Sequence, residues 1–219
     1  MRAFAFYRDM KRTIIYIDGF NFYYGFLIDT NYKWLNLEAV FDTLLSEENN
    51  IIEIKYFTAD VRPSKFDPEV DLRQQAYFGA LEKYCNRVKI IKGFFSRNKT
   101  YMPLVNSDAE KPELVNVWKV EEKGSDVNLC VHMLNDAWLD NYDCAVLVSN
   151  DSDMTESLKL IKENHSEKVI GLVSSANRKR SKNLVQYADF TKVLRTTILE
   201  ESQLPERIPH TNIRKPVSW

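Results

Sequence analysis

The stretch TIIYIDG at Thr13–Gly19 is a short β-branched run that stops at an aspartate followed by a glycine. Such a run is typical of a buried strand in a parallel sheet, which is apolar on both faces. The strand would bring Asp18 to its carboxyl end. The sequence therefore predicts a sheet edge that carries a carboxylate.

Strand and helix patterns alternate along the rest of the chain. Asn36 is placed to cap one helix, and Asp67-Pro68 is a typical start for another. Further strands are predicted at residues 51–59, 87–95, 144–148, 168–173 and 190–194. This order predicts an α/β protein with a mainly parallel central sheet covered on both faces, which holds ligands outside the carboxyl ends of its strands.

Further carboxylates fall at that same predicted edge. Asp126 lies in the first turn of a helix whose apolar residues recur at helical spacing, and Asp151 and Asp153 follow the apolar strand at residues 144–148. Four carboxylates gathered there would repel one another unless a divalent cation neutralised them. Asp18, Asp126, Asp151 and Asp153 are suited to one or two Mg²⁺ or Mn²⁺ ions, with a metal-activated water as nucleophile and Asn21 positioning water or substrate.

A simpler interpretation is that each aspartate is only a helix cap or a turn residue, as Ser152 and Asp153 could be for the helix that follows. Spacing along the sequence does not decide between the two interpretations. What favours a metal site is that all three stretches share one predicted edge.

Three motifs in order resemble the NYN domain of the LabA-like group, a branch of the PIN-like nucleases. They are IDGFN at Ile17–Asn21, KGSD at Lys123–Asp126 and VSNDSD at Val148–Asp153. The likeness runs from about Thr13 to Leu194 and includes Asp189 before the last strand. The family more often has glycine where this chain has Asn150, a small departure because asparagine tolerates a left-handed backbone.

The resemblance implies a three-layer α/β/α sandwich and a divalent-metal-dependent endoribonuclease that hydrolyses RNA phosphodiester bonds. The matched positions comprise the four acids and their neighbours: Asp18, Asp126, Asp151 and Asp153, with Asn21 and Ser149 as polar companions and Lys123 as the basic residue before the helix. Lys123 would contact phosphate or hold a carboxylate. The alternatives are a non-catalytic RNA-binding adaptor with this fold and a metal-dependent phosphatase.

Two basic segments are candidates for RNA contact. Arg178, Lys179, Arg180 and Lys182 form a run in a predicted loop near the acidic edge, where phosphate binding and simple solvation are both reasonable interpretations. Residues 96–120 change in pattern and predict a hairpin-like insertion, with Arg97 and Lys99 near its tip as RNA contacts. Phe94 and Trp118 are predicted to be buried.

Composition limits the other classes of protein. The 219 residues include 44% hydrophobic residues and 30 basic against 31 acidic side chains, which allows one globular domain and neither requires nor excludes a polyanion. Three widely spaced cysteines predict reduced thiols. The sequence contains neither a GxGxxG nor a GxxxxGK pattern, so a nucleotide cofactor is not expected.

No stretch is apolar and long enough to span a bilayer, and the start lacks a signal peptide, so a cytoplasmic protein is expected. We divide the chain into an extension at 1–12, a nuclease domain at 13–199 and a polar tail or extended arm at 200–219. Whether it forms a homodimer is open.

Overall fold

The computed structural model describes residues 10–106, 112–175 and 179–219. Its strands, in chain order, are β1 Lys11–Asp18, β2 Asn49–Thr58, β3 Val88–Lys92, β4 Phe94–Pro103, β5 Leu114–Lys123, β6 Cys144–Val148, β7 Val169–Ser175 and β8 Phe190–Leu194. Six of these form one parallel sheet in the order β3-β2-β1-β6-β7-β8. The parallel sheet predicted from the sequence is confirmed.

Helices cover both faces of this sheet. They are α1 Gly19–Phe22, α2 Leu37–Leu44, α3 Val70–Tyr84, α4 Ser125–Trp138, α5 Thr155–Asn164, α6 Lys182–Val185 and α7 Thr196–Glu201, with a π-helical turn at Tyr23–Leu27 and a 3₁₀ turn at Ser152–Met154. Successive residues of β1 point to opposite faces: Ile15 and Ile17 join the core under α2 and α3, whereas Ile14 and Tyr16 join the core under α4 and α5. The α/β class and its layers are therefore as expected.

The two predicted helix starts had different outcomes. The Asn36 side chain accepts a hydrogen bond from the Ala39 amide at 3.2 Å, so it caps α2 as predicted. Asp67 does not cap α3, which begins at Val70. That prediction was wrong because the Asp67 carboxylate pairs with Arg73 instead.

The predicted strand at 87–95 is divided between two sheets. The chain leaves the parallel sheet at Gly93, where a Cβ atom would lie only 2.4 Å from the Lys123 carbonyl oxygen. β4 and β5 then form a separate antiparallel hairpin that is longer than the predicted insertion, and residues 107–111 at its tip lie outside the described part. Phe94 is 64% exposed and Trp118 is 53% exposed, so the prediction of their burial was wrong.

The segment 200–219 is not the extended arm that its lack of periodicity suggested. Leu204 and Ile208 are buried, and the Trp34 indole donates a hydrogen bond to the Pro205 carbonyl at 2.9 Å. The Trp219 ring lies 5.8 Å from that of Tyr77, centroid to centroid. Single apolar anchors separated by irregular chain produce no periodic signal, which is why the sequence pattern missed this packing.

At the other end of the chain, Lys11 and Arg12, which we had placed in an extension, belong to β1, and residues 1–9 lie outside the described ranges. All three cysteines are free thiols. Within the described residues, no helix combines the length and apolar character needed to cross a bilayer.

Candidate functional site

The candidate site lies where the connections of the sheet change direction. From β1 the chain moves outward to β2 and β3, and from β6 it moves to β7 and β8 on the other side. Ligands of open α/β sheets bind outside the carboxyl ends of the strands at such a point. Asp18 ends β1 and Ser149 follows β6, which pairs directly with β1.

Asp18 is held by two hydrogen bonds in a nearly closed environment. Its side chain belongs to a residue only 5% exposed; Oδ1 accepts from the Asn21 amide and Oδ2 from the Ser149 hydroxyl, both at 2.9 Å. Burial raises the pKa of the carboxyl group, and the charges of Asp151 and Glu122 raise it further, while the two hydrogen bonds lower it. The net effect is a raised pKa, so the ionised form of Asp18 is costly here.

Asp126 stands on the first turn of α4, after Gly124, whose φ of 96° is a left-handed conformation that suits glycine. Burial raises the pKa of the Asp126 carboxyl, and the negative charges of Asp18, Asp151, Glu122 and Asp153 contribute in that order, which brings the pKa to about 6. The charges that act on it most strongly are thus all negative. Asp18, Asp126 and Asp151, predicted from separate motifs, share one electrostatic environment.

Glu122 is a site carboxylate that the sequence analysis missed. Its Oε1 accepts hydrogen bonds from the Ser125 amide at 3.1 Å and the Ser125 hydroxyl at 2.7 Å, which fixes the entry to α4. Its charge acts on both Asp18 and Asp126. The available signal was a glutamate three residues before a helix-starting serine, directly ahead of the KGSD motif.

The turn after β6 assigns different roles to its two aspartates. Asp151 Oδ1 accepts from the Asp153 amide at 3.0 Å, so Asp151 caps the 3₁₀ turn and Asp153 is an exposed member of it. The Asp151 amide donates to Ser149 Oγ at 3.1 Å, and the Asn150 amide donates to Asn21 Oδ1 at 3.3 Å. These bonds join the ends of β1 and β6 and hold Asn21 inside the site.

The donor chemistry of this cluster fits a hard divalent cation, because carboxylate and hydroxyl oxygens are the ligands that Mg²⁺ and Mn²⁺ favour. Nevertheless, across residues 10–106, 112–175 and 179–219, no three Asp, Glu, His or Cys side chains stand in a ready-made metal arrangement. The site fits a metal ion because its side chains are oxygen ligands and because its carboxylates repel one another. Their positions do not yet form a coordination shell.

Asn150 connects the basic loop to the acidic edge. Its Nδ2 donates to the Lys179 carbonyl at 2.9 Å, and its Oδ1 accepts from the Ser181 amide at 2.7 Å. Arg180 is held by Ser174 and Thr191, each at 3.1 Å, while Lys179 and Lys182 are exposed. Arg178 lies outside the described residues. Asn150 is not among the residues with a positive φ, so its side chain, rather than backbone freedom, gives it a role here.

On the hairpin, one exposed surface combines an aromatic ring with positive charge. The Arg97 guanidinium carbon lies 4.2 Å from the Trp118 ring centroid, and Lys99 Nζ lies 5.2 Å from it. Sequence reasoning had named Arg97 and Lys99 but had placed Trp118 in the core. Lys123, at the base of the hairpin, forms an ion pair with Glu121 at 3.5 Å. Its carboxylate partner is therefore Glu121 rather than one of the predicted aspartates.

An aromatic cavity of about 280 Å³ adjoins the acidic site. It begins at Gly19 and Phe20, the two residues after Asp18, and extends along the ends of β1 and β2 towards α3. A Cβ atom on Gly19 would lie 2.9 Å from the Tyr56 ring, so only glycine allows this wall to approach the acidic edge.

Comparisons with known proteins agree with this architecture. The protein 6-hydroxy-3-succinoylpyridine 3-monooxygenase HspA of Pseudomonas putida (strain DSM 28022 / S16) is 36% identical over 237 residues, which span 95% of this chain and 75% of that protein. A solved structure of VPA0982, a protein of unknown function from Vibrio parahaemolyticus, aligns with a TM-score of 0.54 and 17% identity over 90% of this chain and 98% of that one, a likeness of fold alone. Residues 12–194 match the NYN domain, and the chain therefore belongs to the NYN domain family.

Proposed function

We propose that this protein is a divalent-metal-dependent endoribonuclease whose centre is the cluster of Asp18, Asp126 and Asp151. The NYN family belongs to the PIN-like nuclease superfamily, and the chain matches it over most of its length. The observation that carries the proposal is the Asp126 carboxyl group, whose pKa is raised to about 6 by burial and by other carboxylates. At neutral pH this group is still largely ionised, so it adds to the repulsion among the carboxylates, which a bound divalent cation would relieve.

Asp18, Asp126 and Asp151 would hold Mg²⁺ or Mn²⁺, with Glu122 and Asp153 close enough to add to the field. The ion, when bound, supplies a Lewis acid and an activated water for phosphodiester hydrolysis. The chain contributes orientation: Ser149 and the Asn21 amide fix the two oxygens of Asp18, and Glu122 fixes the start of the helix that carries Asp126. These contacts aim the carboxylates before substrate arrives.

A polyanionic strand beside an acidic pocket needs positive charge around it. Lys179, Arg180 and Lys182 line one side of the edge, and the hairpin offers Arg97, Lys99 and an exposed indole on another. Lysine and arginine contacts to phosphate give affinity without sequence choice, and an aromatic ring can stack on a base. We assign both surfaces to RNA and, on the motifs alone, place the chain in the LabA-like group.

The test is cleavage of single-stranded and structured RNAs by the purified full chain with Mn²⁺. We expect cleavage by wild type, and its loss in D18N and D151N with unchanged circular dichroism. E156Q, which removes an exposed carboxylate on α5, is the matched control and should cleave normally. Equal cleavage by D18N and wild type would refute the proposal; intact RNA that still binds would identify an adaptor instead.

A second candidate is oxygenation of a small heteroaromatic acid. Two observations favour it: the 36% identical relative bears the name of a 6-hydroxy-3-succinoylpyridine monooxygenase, and an aromatic cavity adjoins the acidic cluster. A monooxygenase also requires dioxygen and a two-electron reductant. Incubation with 6-hydroxy-3-succinoylpyridine, NADH and dioxygen, followed by mass spectrometry, should yield a hydroxylated product if this candidate is correct. Unchanged substrate, alongside RNA cleavage by the same preparation, would leave the nuclease.

A further inference from the structure

The aromatic cavity has the construction of a small-molecule site. Its walls include seven aromatic rings drawn from four parts of the chain: Phe20, Tyr23, Tyr24, Tyr56, Tyr77, Phe78 and Trp219. Its volume of about 280 Å³ lies near the lower end of the usual range for ligand pockets, which are mostly apolar with a few placed polar groups. The size suits one aromatic ring with a short substituent.

Two hydroxyl-bearing residues in this wall make no side-chain hydrogen bond among the described residues. Tyr56 is 6% exposed and Thr58 is 2% exposed, and both line the cavity. Neither hydroxyl has a hydrogen bond to any residue in the described part of the chain. A hydroxyl that lines a cavity without a protein partner can donate a hydrogen bond to a ligand or accept one from it. A ligand with a polar ring atom or ring hydroxyl would satisfy both.

The lining includes two cations, Lys33 and Arg73, while the charges of Asp29 and Asp18 act on Tyr23 and Tyr56 in the same wall. Arg73 pairs with Asp67, while Lys33 has no ion-pair partner among the residues that the structure describes. Because the pocket is largely apolar, an anionic group on the ligand would gain from the charge of Lys33 more than it would in water.

The wall is also held in a fixed shape. Gln74 donates through Nε2 to the Ala59 carbonyl at 3.0 Å and accepts through Oε1 from the Val61 amide at 2.9 Å. The Tyr77 hydroxyl donates to the Leu35 carbonyl at 3.1 Å. These polar groups are already engaged, so Tyr56, Thr58 and Lys33 remain to recognise a ligand.

We propose that this cavity binds a small heteroaromatic carboxylate, with its ring among the aromatic side chains, its carboxylate towards Lys33 and Arg73, and its ring substituent at the Tyr56 and Thr58 hydroxyls. This inference does not depend on RNA cleavage; it rests on the second candidate function and adds the residues that would recognise its class of ligand. The ring would lie next to Asp18, since Gly19 and Phe20 belong to both the acidic edge and the cavity.

The experiment is calorimetric titration of the full chain, without metal, with 6-hydroxypyridine-3-carboxylate. We expect saturable binding that is at least tenfold weaker for 2-hydroxypyridine, which lacks the carboxylate, and for cyclohexanecarboxylate, which lacks the aromatic ring. K33M and Y56F should each weaken binding at least fivefold, and K159M, which removes a lysine of α5, should leave it unchanged. No saturation up to millimolar ligand, or equal binding in K33M and Y56F, would overturn the proposal.

Two further measurements separate this inference from its rivals. D126N should lose RNA cleavage and keep ligand binding, so a failed nuclease proposal and a failed cavity proposal give different results. Y56F should melt no lower than wild type, because its hydroxyl has no partner to lose; a clear drop in melting temperature would contradict the unpaired state. Uridine monophosphate that displaced the carboxylate with higher affinity would also overturn the assignment, in favour of a nucleotide subsite.

Discussion

Asp126 and Asp136 stand near the two ends of the same helix, α4, and their environments are opposite. Asp136 accepts hydrogen bonds from the Tyr16 hydroxyl at 2.6 Å, from Lys55 Nζ at 2.5 Å and from Asn141 Nδ2 at 3.0 Å. Burial raises the pKa of its carboxyl group, but these donors outweigh burial and the pKa is lowered. Asp126 has only carboxylates as its strongest charged neighbours, and its pKa rises to about 6.

A buried counter-charge distinguishes a structural carboxylate from a functional one in this protein. The fold supplies Asp136 with its own buried counter-charge, since the Lys55 side chain is only 7% exposed. Among the residues that the structure describes, no lysine or arginine pairs with Asp18 or Asp126. Carboxylates that lie together without a lysine or arginine partner repel one another, and a bound divalent cation would neutralise them. We propose a metal centre on this basis.

The largest expected effect is a loss of stability when Asp136, the carboxylate paired with Lys55, is replaced. D136N leaves the buried Lys55 ammonium with only the partly exposed Glu53, 3.3 Å away, and breaking a buried ion pair from one side costs about 3–5 kcal/mol. Urea unfolding followed by circular dichroism should show this loss in the free energy of unfolding. The double variant K55M/D136L, which removes both charges, should recover much of it. Wild-type stability in D136N would show that the Lys55 pair is not what compensates this carboxylate.

For Asp126, which has no ion-pair partner among the described residues, we expect the opposite effect on stability. D126N removes one of the repelling charges, so metal-free D126N should be at least as stable as wild type in the same urea assay. Its RNA cleavage with Mn²⁺ should fall by about 100-fold or more, because even outer-shell partners of metal ligands are worth about 10–100-fold. A variant that lost stability but kept its cleavage rate would reverse the roles that we assign to the two aspartates.

The two carboxylates should also respond oppositely to pH in metal-free protein. Asp136 has a lowered pKa when folded, so its stabilising contribution is present above the unfolded value of about 3.9 and is lost as pH falls through the folded value. Asp126 has a raised pKa, so its destabilising contribution is largest above pH 6 and disappears as pH falls towards about 4. The difference in free energy of unfolding between wild type and D126N should therefore shrink between pH 7 and pH 4.5, by about 1 kcal/mol after allowance for solvent screening of this partly exposed group. A difference that stayed constant over this range would mean that Asp126 ionises normally.

A smaller effect is expected at the basic loop, which neutralises substrate rather than the cluster. K179A should weaken RNA binding about equally for different sequences and reduce the slope of log affinity against log salt by about 1. Filter binding at several salt concentrations measures both quantities, with K65A, a lysine exposed in the loop after β2, as the control. An unchanged slope would remove Lys179 from the RNA surface.

Much of the fold could be predicted from the sequence because burial on both faces leaves a continuous apolar run. Residues 13–17 were predicted to form a buried strand for that reason, with Asp18 at its carboxyl end. The site residues Asp126 and Asp151 followed from the same logic, since they start the segments after a turn or a buried strand.

What the sequence did not reveal depends on contacts without periodicity. Trp118 is exposed because its hairpin stands apart from the main sheet, which no local pattern reports. Glu122 joined the site because the left-handed turn at Gly124 brings it back to Ser125. Tyr56 and Thr58 belong to an ordinary strand pattern, and only the structure reveals that their hydroxyls lack partners.

We expect a bound divalent cation to neutralise the carboxylates of Asp18 and Asp126, which have no ion-pair partner among the described residues. Titration calorimetry with Mn²⁺ on wild type, D126N and E156Q tests it most directly. We predict saturable binding to wild type and E156Q, weakened by about 10-fold or more in D126N, and a matching rise in melting temperature in the first two proteins alone. Absence of binding up to millimolar Mn²⁺, or equal affinity in D126N, would contradict it.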